Sequence, residues 1–195
     1  MATPIYLDME EVVKQSTDKI IREQVDPWMN LITINKVNVR RFDGRDISLE
    51  GVAFQGTAVN LFWHGYIDPY LKDMINNQII HFTTFAKQNH VVVEQALFEL
   101  QGMLISSSIR VYTRMVDIDQ RLRGNGHPHA IIKKPIEKEL EDIKHYISAK
   151  VSNRVKIEKA IPWYEKPWLK SWPIIVTMLA TIINLLMNIY SKFTS

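Results

Sequence analysis

The stretch WPIIVTMLATIINLLMNIY, residues 172–190, decides how the rest of the chain is read. No charged residue falls between Lys170 and Lys192. At about 1.5 Å per helical residue, this run matches a hydrocarbon core of roughly 30 Å. Trp163, Trp168, Lys170, Trp172 and Tyr190 stand where membrane-interface anchors belong, and Pro173 suits a first helical turn. A helix lying flat in the interface carries a wide charged face; this one carries none. The segment predicts a transmembrane helix over 172–191.

The same segment carries a polar seam. Thr177, Thr181, Asn184, Asn188 and Ser191 are spaced by four, three, four and three residues, which sets all five on one stripe of a helix. Ile, Leu, Val, Met and Ala fill the other positions and suit lipid. An asparagine facing acyl chains leaves its amide without partners, so the stripe calls for protein or water. It predicts either helix–helix hydrogen bonds or the lining of a pore. One helix encloses nothing, so both outcomes require a homo-oligomer.

Working outward, residues 150–170 hold six Lys or Arg against two Glu, whereas only Lys192 lies beyond the span. That asymmetry predicts an inner (plasma) membrane protein whose N-terminal domain is cytoplasmic, in contact with the lipid bilayer. Met-Ala-Thr-Pro followed by acidic residues does not read as a signal peptide, which predicts a tail anchor. The expected organisation is a cytosolic domain over 1–161, an interfacial collar over 162–171, the span, and a tail over 192–195.

The totals bound the chemistry. The chain has 195 residues, 46% of them hydrophobic, which is enough for one well-filled domain besides the span. Seven glycines are few for an all-β protein, and the absence of cysteine excludes disulfides, thiolate metal sites and cysteine nucleophiles. A net charge of +3 is weaker than a nucleic-acid surface usually carries.

Along the cytosolic part, Tyr6, Met9, Val12, Val13, Ile20 and Ile21 fall on one face of a helix over 5–25, ended by Asp26-Pro27. Residues 31–54 switch to a period of two and predict a β-hairpin. A three-residue loop with Gly44 in the left-handed position pairs Val39 with Ile47 and Val37 with Leu49, keeping apolar opposite apolar. Gly51 suggests a bulge beyond it. Arg40, Arg41 and Arg45 near the tip read as solvated turn charges.

The aromatic run of Phe62, Trp63, His64, Tyr66, Tyr70, Phe82 and Phe85 reads as core filling. Asp68-Pro69 suggests an N-cap and a helix from about 69. Val93, Leu97, Leu100, Leu104, Ser107, Val111, Met115, Ile118 and Leu122 predict the longest helix, over 88–122. Ile136, Leu140, Ile143, Ile147 and Val151 predict another from about 135 to Ile161-Pro162. The fold class is thus mainly α: a helical bundle with one hairpin and a C-terminal transmembrane helix. No His or carboxylate spacing suggests a metal site, and no phosphate-binding glycine loop suggests a nucleotide, so no cofactor is expected.

One constellation suggests catalysis: Arg121-Leu122-Arg123-Gly124-Asn125-Gly126-His127-Pro128-His129. Arg121 and His127 enclose five residues, as do Arg123 and His129. This resembles the Arg-x(4–6)-His motif of HEPN ribonucleases, helical-bundle proteins common in microbial defence. The resemblance implies that the arginine binds the scissile phosphate, that the histidine serves as acid/base on the ribose 2′-hydroxyl, and that two protomers build one site. It covers the motif and its helical surroundings, residues 57–152. The chain departs from the pattern where Leu122 or Gly124 replaces the usual polar residue and where His129 follows proline. Those departures leave three readings of the stretch: a glycine-rich turn whose Arg and His touch helix ends or solvent, a silent, divergent HEPN-like scaffold, and an active nuclease. The chain is similar in type to small membrane-linked accessory proteins of RNA-targeting CRISPR systems, which implies RNA or an RNA-guided effector as an activating partner. Three readings stay open: a pore-forming or permeabilising effector in antiviral defence, a tail-anchored scaffold recruiting a cytosolic partner, and a membrane-tethered HEPN ribonuclease.

Overall fold

The computed structural model describes residues 2–50, 59–124 and 137–160, together with Thr177, Thr181 and Ile182. The chain divides into two compact units, residues 1–155 and 156–195. Helices dominate the first. α1 (Tyr6–Ile20) buries Met9, Val13, Thr17 and Ile20. The Thr17 hydroxyl is tolerated in the core because it donates to the Val13 carbonyl at 2.6 Å.

Asp26-Pro27 does not end the helical path. The chain continues through a π-helical segment (Ile21–Val25), a 3-10 turn (Asp26–Met29) and the short α2 (Asn30–Thr33). Pro27 sits in the first turn of the 3-10 segment, a position that tolerates a residue without an N–H. The path ends at Asn35, whose φ of +53° turns the backbone into a strand.

The hairpin has the expected register. β1 (Lys36–Arg40) and β2 (Asp46–Glu50) run antiparallel, with Val37 opposite Leu49 and Val39 opposite Ile47. Gly44 has a φ of +87°, the left-handed position that lets a three-residue loop match the strand twist. Val37 and Val39 are buried against the helices, while Ile47 and Leu49 are half-buried. Arg40 and Arg45 at the tip are exposed, Arg41 is half-buried, and all three are ion-paired: Arg45 with Asp43 at 2.6 Å, Arg41 with Asp43 and Arg40 with Asp46 each at 3.9 Å. Gly51 lies outside the described residues.

α3 (Asp68–Gln88) grows directly out of a second π-helical segment (Val59–Ile67). Asp68 is therefore a first-turn residue rather than an N-cap, and its carboxylate pairs with Lys72 at 2.6 Å. Phe62, Trp63, Tyr66 and Phe82 are buried. Trp28 stacks on Phe62 with ring centroids 3.5 Å apart, and Trp63 meets Tyr112 edge-on at 5.0 Å. Phe62, Trp63, Tyr66 and Phe82 thus fill the core as expected, whereas Tyr70 and Phe85 are half-buried and His64 is exposed.

His90, at a φ of +56°, closes α3: the Val91 N–H donates back to the Ala86 carbonyl at 2.9 Å. The longest helix, α4 (Val93–Gly124, 32 residues), consequently starts at 93 and not at 88. Leu97, Leu100, Leu104, Val111, Met115, Ile118 and Leu122 form its buried seam, each side chain contributing about 1.5–3 kcal/mol. The seam steps from Leu104 to Ser108, not to the half-buried Ser107. The Ser108 hydroxyl donates to the Leu104 carbonyl at 2.8 Å, so the serine run passes without breaking the helix.

α5 (Glu137–Ala160) buries Ile143, Ile147, Val151 and Val155. Side-chain hydrogen bonds place it across α3 and α4. Asn76 donates to the Tyr146 hydroxyl at 2.8 Å, Gln101 to Ser148 at 3.2 Å, and Arg154 to Thr83 at 3.3 Å. The first unit is thus a helical bundle with one hairpin clamped to it. Among the described residues no helix is long and apolar enough to cross a membrane. Most of 172–191 lies outside them.

Candidate functional site

The Arg/His motif opens at the C-terminal end of α4. Arg121 is exposed, and its Nε donates to Asp117 Oδ1 at 3.0 Å. This pair closes a row of charges along α4: Arg110 meets Asp18 at 2.6 Å, and Arg114 bridges Asp26 and Asp117, each at 2.7 Å. The hydrogen bond that Arg114 donates to Asp26 raises its pKa above the ordinary value, so the guanidinium stays charged. The arginines thus tie α4 to α1 and to the turn that follows it. Arg123 belongs to α4, but its side chain, His127 and His129 lie outside the described residues. Among the described residues, Arg121 is therefore brought to an aspartate.

Thr177 and Thr181, the first residues of the polar seam, are helical and exposed, and the Thr181 hydroxyl donates to the Thr177 carbonyl at 2.8 Å. A threonine can satisfy its hydroxyl on its own helix in this way. Asparagine carries two N–H donors and a carbonyl acceptor, so the demand for an outside partner concentrates on Asn184 and Asn188. Those two and Ser191 lie outside the described residues, as do Trp163, Trp168, Lys170, Trp172 and Tyr190.

A cleft that sequence reasoning missed lies beside the hairpin tip. It has a volume of about 410 Å³ and is bounded by the end of α1, the π-helical segment after it, α3 and Phe42. Gln24 and Gln78 line it from the two helical sides and are almost wholly buried. The Gln78 amide donates to the Ser16 hydroxyl at 3.0 Å, while its carbonyl oxygen and that of Gln24 are buried with no hydrogen-bond partner. A signal was present: Gln78 occupies a core position in the series Leu71, Ile75, Gln78, Phe82. A second cleft of about 330 Å³ lies between α1 and α4, where Lys14 and Arg110 offset Glu10 and Glu99. Among the described residues no group of His, Asp and Glu is arranged to hold a metal ion.

No family model, no curated protein and no solved structure matches this chain.

Proposed function

We propose that this chain is a single-span membrane protein that assembles with copies of itself, and that its polar seam lines or seals a pore. The observation that carries this reading is the spacing of Thr177, Thr181, Asn184, Asn188 and Ser191 on one stripe of an otherwise apolar, uncharged segment. Burying a polar amide in hydrocarbon without a partner costs several kcal/mol. Interhelical hydrogen bonds or pore water remove that cost, and either requires neighbouring copies. In the setting that the HEPN resemblance implies, opening the pore permeabilises a membrane during antiviral defence, with RNA or an RNA-guided effector as the activating partner.

The ribonuclease reading draws on the Arg/His spacing alone. With Arg121 engaged by Asp117, a phosphate must compete against a carboxylate for that cation. The scaffold reading shares the span and the assembly but not the conductance. Reconstitution in vesicles separates them. The pore reading expects ion efflux from vesicles holding the wild-type chain, and its loss when Asn184→Leu and Asn188→Leu are combined at equal insertion. Absence of efflux from inserted, oligomeric wild-type protein, with and without RNA, leaves the scaffold and the ribonuclease, which RNA cleavage lost on His127→Ala with His129→Ala tells apart.

A further inference from the structure

The cleft beside the hairpin tip has a floor incomplete in hydrogen bonds. Gln24 and Gln78 are 7% and 8% exposed, and the carbonyl oxygen of each is buried without a partner. An unpaired buried amide is costly enough that nearly all such groups are satisfied by protein, water or ligand. Two of them share this one cleft, on segments far apart in the chain.

The walls specify what kind of donor fits. Glu23 and Asp73 line the cleft together with one cation, Lys19, leaving an excess of one negative charge. Glu23 is held only loosely by Arg22, at 3.8 Å, and Asp73 accepts from Asn77 at 2.9 Å. Phe42 and Tyr70, edge to face at 5.2 Å, supply an aromatic side, a surface that attracts cations. A polyol would donate to the amide oxygens and carboxylates but would leave the net negative charge of the walls unbalanced. An anion would meet acceptors and carboxylates. The cleft volume falls within the range of small-molecule sites.

We propose that this cleft binds a small organic cation with several N–H donors, an alkylguanidinium or polyamine. Its N–H groups reach the Gln24 and Gln78 oxygens after a turn of each carboxamide about its soft terminal torsion. Asp73 and Glu23 balance its charge, and Phe42 and Tyr70 flank it. Because Phe42 belongs to the hairpin tip, a bound cation also fastens the hairpin to α3. The inference stands apart from the membrane reading.

Calorimetry and thermal melts on the full chain in detergent test it, with agmatine and spermidine as probes and citrate as the anionic control. Saturable binding of either cation, with a raised Tm and no response to citrate, is the expected result. Asp73→Asn should weaken that binding about tenfold. Gln78→Leu gives the sharper signature: its unliganded Tm is equal to or above wild type, because an orphaned amide is gone, yet its response to the cation is lost. Phe42→Ala, at an exposed position, should weaken binding without disturbing the floor. No saturable binding of either cation, binding that Asp73→Asn and Phe42→Ala leave unchanged, or preference for citrate would each overturn the proposal.

Discussion

The Tyr70 hydroxyl donates to the Arg41 carbonyl oxygen at 3.0 Å and shares its proton with the Arg40 carbonyl at 3.1 Å. One side chain of α3 thus holds the end of β1 and the turn beyond it. A two-stranded hairpin is marginal by itself, so this clamp and the burial of Val37 and Val39 explain how it persists. Tyr70→Phe keeps the ring against Phe42 and removes only the donor. The expected loss is about 0.5–1.5 kcal/mol in denaturant unfolding. Faster hydrogen exchange should appear at the Gly44 and Arg41 amides, whose bonds close the turn. Unchanged exchange there would contradict the clamp.

Gly44 tests the turn itself. Nothing lies within 4 Å of where a Cβ would sit, so a substitution is opposed by backbone conformation and not by crowding. Gly44→Val should cost about 1–2 kcal/mol or more, and Gly44→Asn distinctly less. Equal urea midpoints for the two variants would argue against left-handed strain as the cause.

Much of the fold was legible because pattern and chemistry agreed. A glycine at the left-handed position of the hairpin loop, with valines opposite leucine and isoleucine, specifies both loop length and register. The three-four spacing of Leu97, Leu100 and Leu104 reads directly as a buried helix seam. What failed was punctuation. Asp26-Pro27 and Asp68-Pro69 are usual helix boundaries, but here π-helical segments run directly into the helical turns that hold them, and widened turns leave no mark in a 3.6-residue period. His90 closed α3 without a glycine, which moved the start of α4 by five residues. The cleft was missed for another reason. Gln24 and Gln78 meet only through tertiary packing, and a lone glutamine at a core position does not reveal its partner.

Tyr112 supplies a pH test. It is 1% exposed, and its hydroxyl has no hydrogen-bond partner. Burial, and then the nearby charges of Glu139 and Asp119, push its pKa up to about 12. The fold therefore favours the protonated phenol, since the unfolded chain ionises near 10. That contribution is fully present below about pH 10 and is lost as the pH rises toward 12, on the order of 1–2 kcal/mol. Tyr112→Phe should be neutral or stabilising at pH 7, having shed an orphaned hydroxyl, and should flatten the alkaline limb of a stability–pH curve. A limb as steep as wild type in that variant would assign the loss to other groups.

The charge row along α4 should matter modestly. Arg114, Asp26 and Asp117 are each more than a third exposed, and solvent screens such pairs to about 1 kcal/mol or less. Arg114→Ala should lower stability by no more than that in dilute buffer, and the difference should shrink in about 1 M salt, where screening lengths fall to roughly 3 Å. A larger, salt-independent loss would mean that the arginine stem packs as core.

The central claim is that the stripe carrying Asn184 and Asn188 faces a water-filled pore. The chain contains no cysteine, so single cysteines can be placed without background and probed in a planar bilayer with a membrane-impermeant charged thiosulfonate. The account predicts that current through Asn184→Cys and Asn188→Cys assemblies is blocked within seconds to minutes. Leu186→Cys, which a helical spacing sets opposite the two asparagines, should be untouched. Equal block at Leu186→Cys, or no block at either asparagine position in a conducting assembly, would contradict a pore lined by this seam.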